Sequence, residues 1–245
     1  RDRPELNTAF AFESAGDELV YILGASISVG LSVAVFPEAG VLVSTLLLAL
    51  ASAAFLAQRS TEPPLRLAGA HATRSAIRLR PVQIITFALI AVGAMFATVE
   101  VVSVALTKAF GEPQAATLVI GVYALGSFIV GLVLGAFNPR MPLERQLLLA
   151  IGVIATTALP LLAVSGVASL AMTVFFSGIA IAPTFITAFA LIERRVPAAM
   201  LTEGITWVTT GIGIGMAVGS AVAGWVVDNF GAANGFGVSV AAGAV

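Results

Sequence analysis

Apolar runs long enough to cross a membrane follow one another along most of the chain. A membrane-spanning helix needs about 20 mostly apolar residues; seven segments meet this requirement, and an eighth begins near the C-terminal end. The predicted spans are A (19–36), B (39–58), C (82–107), D (114–137), E (146–164), F (166–191), G (200–227) and H (232 onward). Turn residues, mainly Pro and Gly, separate them. The sequence predicts an all-α, polytopic membrane helix bundle of about eight spans, the last incomplete.

Composition excludes the water-soluble classes. Hydrophobic residues make up 59% of the chain and charged residues 10%, whereas soluble domains carry roughly 25% charged residues. The net charge of −1 gives no basic field for a nucleic acid. With no cysteine and a single histidine, His71, that has no carboxylate cluster beside it, we expect no metal site and no cofactor.

The basic residues are distributed asymmetrically between the predicted loops. Eleven of the 12 Lys and Arg residues lie before A or in the loops after B, D and F, and the remaining one, Lys108, lies in a loop of the opposite side. Positively charged loops face the cytoplasm in most membrane proteins. The pattern predicts a multi-pass protein of the cell membrane in which residues 59–81, the longest polar segment, form a basic cytoplasmic linker.

Two short patterns recur 93 residues apart. "FATVE" at 96–100 returns as "FALIE" at 189–193, and "GSFIVG" at 126–131 returns as "GSAVAG" at 219–224. Residues 82–164 and 166–245 are therefore predicted to be two three-helix units. Because three crossings reverse the chain direction, these units would be inverted repeats, as in many secondary transporters.

Three stretches resemble the major facilitator superfamily of transporters, in particular efflux-type members from actinobacteria. They are "FESAGDELVYILG" entering A, "SGIAIAPTFITAFALIE" in F and "LTEGITWVTTGIGIGMAVGSAVAGWVVDNFG" through G. The resemblance implies a fragment that matches helices five to twelve of twelve. Residues 1–58 would be the last two helices of the N-terminal half and residues 82–245 the C-terminal half. We expect no transport by the isolated fragment.

The resemblance also has departures. Efflux members usually follow the glycine of the fifth helix with proline, but Gly24 is followed by Ala25. The stretch "GLVLGAFNPRMPLER" is similar to the family's loop signature and keeps Gly131, Gly135 and Arg140 without an aspartate. The resemblance implies proton-coupled efflux, and the first departure leaves a facilitator or importer open.

Glu100 is the only charged residue between Arg80 and Lys108. The 1.5 Å helical rise places it about 28 Å beyond Pro81, in the outer third of span C. Phe96, Ser103 and Thr107 share its face. We predict a group that takes part in transport or proton coupling, with a buried structural acid paired across helices as the alternative.

Span G carries a polar and aromatic stripe. Glu203, Thr206, Trp207 and Thr210 share one helical face, so Glu203 and Trp207 are further candidates for transport or coupling. The alternative is that Glu203 caps its own helix and Trp207 packs. On the same helix, glycines recur every fourth residue, which predicts close helix packing. These are Gly211, Gly215 and Gly219.

Spans D and F provide the other candidates. Tyr123 is predicted to contact substrate, or alternatively to lie in an interfacial aromatic belt. Gly131 and Gly135 are predicted packing positions of the same span. Pro183 lies within span F and predicts a kink, with Thr184 and Thr187 bonding the freed carbonyl; a gating hinge is the functional hypothesis.

Acidic residues at the entry to span A complete the set of candidates. Glu13, Asp17 and Glu18 suit a first helical turn. By the resemblance, they are candidates for a conformational lock at the cytoplasmic end of the fifth helix. The simpler alternative is solvation at the membrane interface.

The sequence lacks the residues that other classes of function require. A membrane-embedded enzyme needs paired carboxylates, histidine clusters or a nucleophile with a base, and "GIGIG" lies mid-span rather than in a phosphate-binding loop. We predict a secondary active transporter and not an enzyme, with a membrane scaffold as a distant alternative. Its expected partners are a small-molecule substrate, protons and the lipid bilayer, with no nucleic acid and no obligate protein partner.

Overall fold

The structure is a computed structural model that describes residues 35–60, 75–136 and 141–244, together with single positions between 12 and 32. Glu13, Asp17, Glu18, His71 and Arg140 lie outside the described residues. The chain forms two compact units. One comprises residues 19–71, and the other residues 1–18 and 72–245.

The smaller unit contains helix α1, Ala39–Ala57. Its start packs closely against the preceding segment, because a side chain added at Gly40 would overlap the backbone of Ser28. Most of α1 is exposed, including Leu46, Leu47 and Leu48. A soluble protein rarely exposes so much contiguous apolar surface, and a lipid environment removes that cost.

The larger unit contains seven α-helices and three short 3₁₀ helices in its described part. The α-helices are α2 (Arg80–Ala109), α3 (Ala115–Ala136), α4 (Leu143–Leu161), α5 (Val167–Gly178), α6 (Ile181–Arg195), α7 (Leu201–Phe230) and α8 (Phe236–Gly243). The 3₁₀ helices are Ala76–Arg78, Ala198–Met200 and Ala232–Asn234. No strand occurs among the residues described.

The central helix of this unit is α2, whose main partner is α7. They run parallel, since Thr86 lies against Gly211 and Ala94 lies against Gly219. Helix α3 also runs parallel to the helices of span F, because Tyr123 meets Gly178 while Ser127 and Gly131 meet Ala182. These directions are those that the predicted alternation of crossings requires.

The helix contacts stay the same when the two predicted three-helix units are exchanged. The first helix of the unit 82–164, α2, packs against the second helix of the unit 166–245, α7. Correspondingly, the first span of the unit 166–245, which consists of α5 and α6, packs against the second helix of the unit 82–164, α3. Likewise α2 contacts α8 while α5 and α6 contact α4. An approximate twofold relation between inverted repeats has this form, and the packing supports a repeat that remains a prediction.

Six helical segments of the described residues are long and apolar enough to cross a membrane. They correspond to predicted spans B to G, with boundaries shifted by a few residues. Span A falls on sparsely described residues, and α8, in span H, is only 8 residues long. The all-helical membrane bundle predicted from the sequence is confirmed.

Span F differs in one respect, because two helices replace the single one that was predicted. The first, α5, ends at Gly178 and α6 begins at Ile181. Pro183 is the third residue of α6, where its missing N–H has no intrahelical partner to lose. The proline therefore follows a break instead of kinking a continuous helix.

Candidate functional site

Glu100 lies in the second half of α2 and is half-buried. The described residues provide neither an ion pair nor a hydrogen bond to its carboxylate. On its side of the helix, Ser103 is 1% exposed and its hydroxyl has no partner among the described residues, while Thr107 donates to the Ser103 carbonyl at 3.0 Å. Glu100 therefore borders a buried polar strip of the central helix.

Tyr123 of α3 closes the other side of this region. Its ring lies 5.5 Å from that of Phe96, one turn before Glu100, at a tilt of 43°. Only 3% of Tyr123 is exposed, so the tyrosine belongs to the bundle core and not to an interfacial aromatic belt. The fold thus brings Glu100, Phe96 and Tyr123 to the α2–α3 side of the unit.

Glu203 lies in the first turn of α7 and bonds to a different element. The Ser75 hydroxyl and the Trp207 indole N–H, the latter at 3.3 Å, both donate to its Oε1. The backbone amide of Ala76 adds a further favourable interaction. No side-chain hydrogen bond caps the start of α7, whose N-cap is Met200. The alternative that Glu203 caps its own helix is therefore wrong.

The other members of the predicted α7 stripe are exposed. Trp207 is 37% exposed, and Thr206 and Thr210 are exposed as well. The Thr206 hydroxyl donates to the Thr202 carbonyl at 2.9 Å, within its own helix. These exposed side chains lie outside the close contact with α2, which Gly211, Gly215 and Gly219 form.

The three α7 glycines lie at the α2 contact. A Cβ at Gly211 would lie 2.8 Å from the Thr86 carbonyl oxygen, and one at Gly215 or Gly219 would overlap the carbonyl of Ile90 or Ala94. A side chain would therefore force the two backbones apart. Gly93 of α2 approaches Ile212 in the same way, a reciprocal position that the four-residue spacing on α7 did not reveal.

The α3 glycines have different surroundings. A Cβ at Gly131 would meet the Ala182 Cβ at 3.1 Å, and the surroundings of Gly135 lie outside the description. Gly126 and Gly178, which sequence reasoning missed, form the tightest α3–α5 approach. Their spacing shows no repeat within either helix, so only the pairing of the two helices identifies them.

A hydroxyl from α3 bonds the break in span F. Ser127 Oγ accepts the Ala182 N–H at 3.1 Å, which is one of the amides that lack a partner in the first turn of α6. Thr184 and Thr187 instead donate to the carbonyls of Ala180 and Pro183, one turn back in their own helix. The prediction that they bond the carbonyl freed by Pro183 is wrong, because that carbonyl belongs to Ile179.

An ion pair joins α4 to α6. The Arg195 guanidinium binds the Glu144 carboxylate, and both side chains are about half exposed. Sequence reasoning did not single out Glu144, and 51 residues separate it from Arg195.

A pocket lies in the described part of the bundle, away from the candidate residues. This pocket of about 270 Å³ lies between α4 and α5 and is lined by Thr157, Pro160, Met172, Thr173 and Phe176. None of the candidates lines it. No group of three or more His, Asp or Glu that could hold a metal occurs among the residues described.

Comparison with known proteins adds the family. The family model of the Major Facilitator Superfamily matches residues 2–200, which include α1 to α6 and end just before α7. Neither a search of curated proteins nor a search of solved structures returned a match. The family match over most of the chain, together with six apolar helices among the described residues, leads to one conclusion: the chain belongs to the Major Facilitator Superfamily of multi-pass membrane transporters.

Proposed function

We propose that this chain forms the fifth to twelfth helices of a secondary active transporter, which exports a small molecule across the cell membrane in exchange for protons. The observation that carries proton coupling is the environment of Glu100, a half-buried carboxylate in the central helix without an ion-pair partner among the described residues. Family membership supports transport itself.

The position of Glu100 in a membrane-spanning helix favours a functional role, because a charged side chain there has a free-energy cost. A charged side chain costs about 2.5–3.5 kcal/mol at the bilayer centre on insertion scales, and less in the outer third of the span, where Glu100 is predicted to lie. A carboxylate held only for packing would normally have an ion-pair or hydrogen-bonding partner. Without one, Glu100 can accept and release a proton as access to it changes, which is what exchange requires.

The helix packing supports alternating access. Parallel α2 and α7 touch through backbone at three glycines, and α3 and α5 do so through Gly126 and Gly178. Small residues at such contacts let helix backbones approach closely and give each pair one well-defined arrangement. A bundle of tightly joined pairs can rock as a body around a substrate, as transporters with inverted repeats do.

Flux measurements on the protein from the complete reading frame test the proposal. Reconstituted in liposomes that enclose a pH-sensitive dye, it is given a panel of small organic molecules with and without an imposed proton gradient. We expect at least one molecule to move against its gradient while protons move the other way. Flux of every transported molecule that is independent of the proton gradient would contradict exchange.

A facilitator or importer on the same fold is the second candidate. Ala25 after Gly24 favours it, because efflux members place proline there. A facilitator would show counterflow that equilibrates the substrate and leaves the internal pH unchanged. An importer would accumulate substrate in the direction opposite to export, so the same liposomes distinguish the three modes.

A further inference from the structure

A polar cluster joins the end of the basic segment 59–81 to α7. Ser75 immediately precedes the 3₁₀ helix Ala76–Arg78, which leads into α2. Its hydroxyl donates to Glu203 Oε1, the same oxygen that accepts the Trp207 indole N–H. One carboxylate oxygen thus links a segment outside the helix pair with an aromatic side chain on α7.

The surroundings of the cluster allow it to open. Ser75 and Glu203 are half-buried, and Arg78 and Trp207 are exposed, whereas Ala76 is completely buried. The contact therefore lies at the surface, at the ends of α2 and α7. Opening it would release the 3₁₀ turn without breaking the glycine contacts of these helices, which begin at Thr86 and Gly211.

We propose that Glu203 is a clasp that holds residues 75–78 against α7 and couples this segment to Trp207. When this segment detaches, the shared oxygen loses the Ser75 donor, and its hydrogen bond with the Trp207 indole changes as a result. The attachment of residues 75–78 and the environment of Trp207 therefore change together. If the proposed transport function holds, detachment of residues 75–78 reaches the exposed face of α7 that carries Trp207. The clasp itself requires no substrate.

Limited proteolysis in nanodiscs, on the protein from the complete reading frame, tests the attachment. Trypsin can cut after Arg78 but not after Arg80, because Pro81 follows, and exposed Arg59 provides an internal reference. Hydrogen bonds to a charged group are strong, so we expect Glu203→Gln to raise cleavage after Arg78, relative to Arg59, about tenfold. Ser75→Ala should raise it by a smaller factor.

The matched control for proteolysis is Glu144→Gln, which removes a carboxylate that bonds to Arg195 on other helices. It should leave the cleavage ratio unchanged. Ratios that are equal in the parent protein, Glu203→Gln and Ser75→Ala would overturn the clasp.

Fluorescence tests the coupling to Trp207. The chain contains two tryptophans, so the Trp225→Phe background isolates the emission of Trp207 among them; tryptophans elsewhere in the complete protein are replaced likewise. Ser75→Ala does not alter a group that contacts the indole, yet we expect it to shift the emission maximum and the quenching by iodide. Emission and quenching that do not change with Ser75→Ala would overturn the coupling. Both measurements omit substrate, so their outcome is independent of any failure of the transport proposal.

Discussion

Two carboxylates of the bundle have contrasting surroundings. Glu203 shares one oxygen between Ser75 and Trp207, whereas Glu100 borders the buried Ser103 hydroxyl and has no ion-pair partner among the described residues. A carboxylate engaged by donors holds elements together, and one without a partner can exchange a proton at less structural cost. We therefore propose a structural role for Glu203 and a role in proton exchange for Glu100.

The substitution Glu100→Gln tests proton exchange at this residue. The amide keeps the size and polarity of the side chain but cannot ionise in the transport range. We expect proton-driven transport to fall at least about tenfold, within the range for loss of a proton-transfer group, while counterflow without a gradient persists. Transport is measured in liposomes as a function of pH.

The matched control is Glu112→Gln, in the exposed turn between α2 and α3. It should leave the pH profile unchanged. A pH profile of Glu100→Gln that coincides with that of the parent protein would contradict a coupling role.

The glycine contact between α2 and α7 gives a second prediction at single residues. Gly215→Ala places a methyl group on the Ile90 carbonyl, whereas Gly213→Ala, on the same helix, meets nothing within 4 Å. We expect the first to destabilise the protein by about 1–3 kcal/mol, and the second to be neutral or stabilising by up to about 1 kcal/mol. Thermal unfolding in detergent measures both, and equal midpoints would contradict the close approach.

At the level of elements, span F is two helices held by a neighbour. The break between α5 and α6 leaves backbone amides in the middle of a membrane bundle, where water cannot serve them. Ser127 on α3 accepts one of them, from Ala182. The break is therefore stabilised by α3 and not only by the sequence around Pro183.

Removal of this acceptor tests the dependence. Ser127→Ala leaves the Ala182 N–H without that partner, and a buried unsatisfied amide costs about 1–3 kcal/mol. We expect the unfolding midpoint to fall and hydrogen exchange at the start of α6 to accelerate. Ser220→Ala, whose hydroxyl bonds to Ala217 in its own helix, is the control. Equal exchange in the two variants would show that Ser127 does not hold the break.

At the level of the whole molecule, the basic residues of the described bundle collect at one end. Arg80 lies at the start of α2, Arg145 in the first turn of α4 and Arg195 at the end of α6, while Lys108 lies at the far end of α2. At this end Glu203 joins the start of α7 to Ser75, which lies shortly before α2, and Glu144 joins the start of α4 to the end of α6. By the positive-inside rule, we predict that this end faces the cytoplasm.

Cysteine labelling tests this orientation, since the 245-residue chain has no cysteine. Thr202→Cys and Glu112→Cys, both at exposed positions, are introduced singly into the protein from the complete reading frame, with any cysteines outside this chain replaced. In intact cells an impermeant maleimide should label Glu112→Cys, and Thr202→Cys only after permeabilisation. The reverse pattern would refute the orientation.

The sequence by itself determined the elements. Runs of about 20 apolar residues bounded by turn residues can satisfy their backbone in lipid only as helices, so spans B to G were predicted with small boundary errors. The repeat of Gly211, Gly215 and Gly219 likewise indicated a contact face, because the periodicity of one helix is local information.

Only the tertiary structure decided the partners. Ser75 and Glu203 are separated by 128 residues, Ser127 and Ala182 by 55, and Glu144 and Arg195 by 51. Such pairs produce no regular spacing that can be recognised in the sequence, because they depend on which helices pack side by side and in what register. The break in span F was missed for the same reason, since the donor that it exposes is bonded from another helix. Local periodicity specifies a helix and its faces, and packing specifies what each face meets.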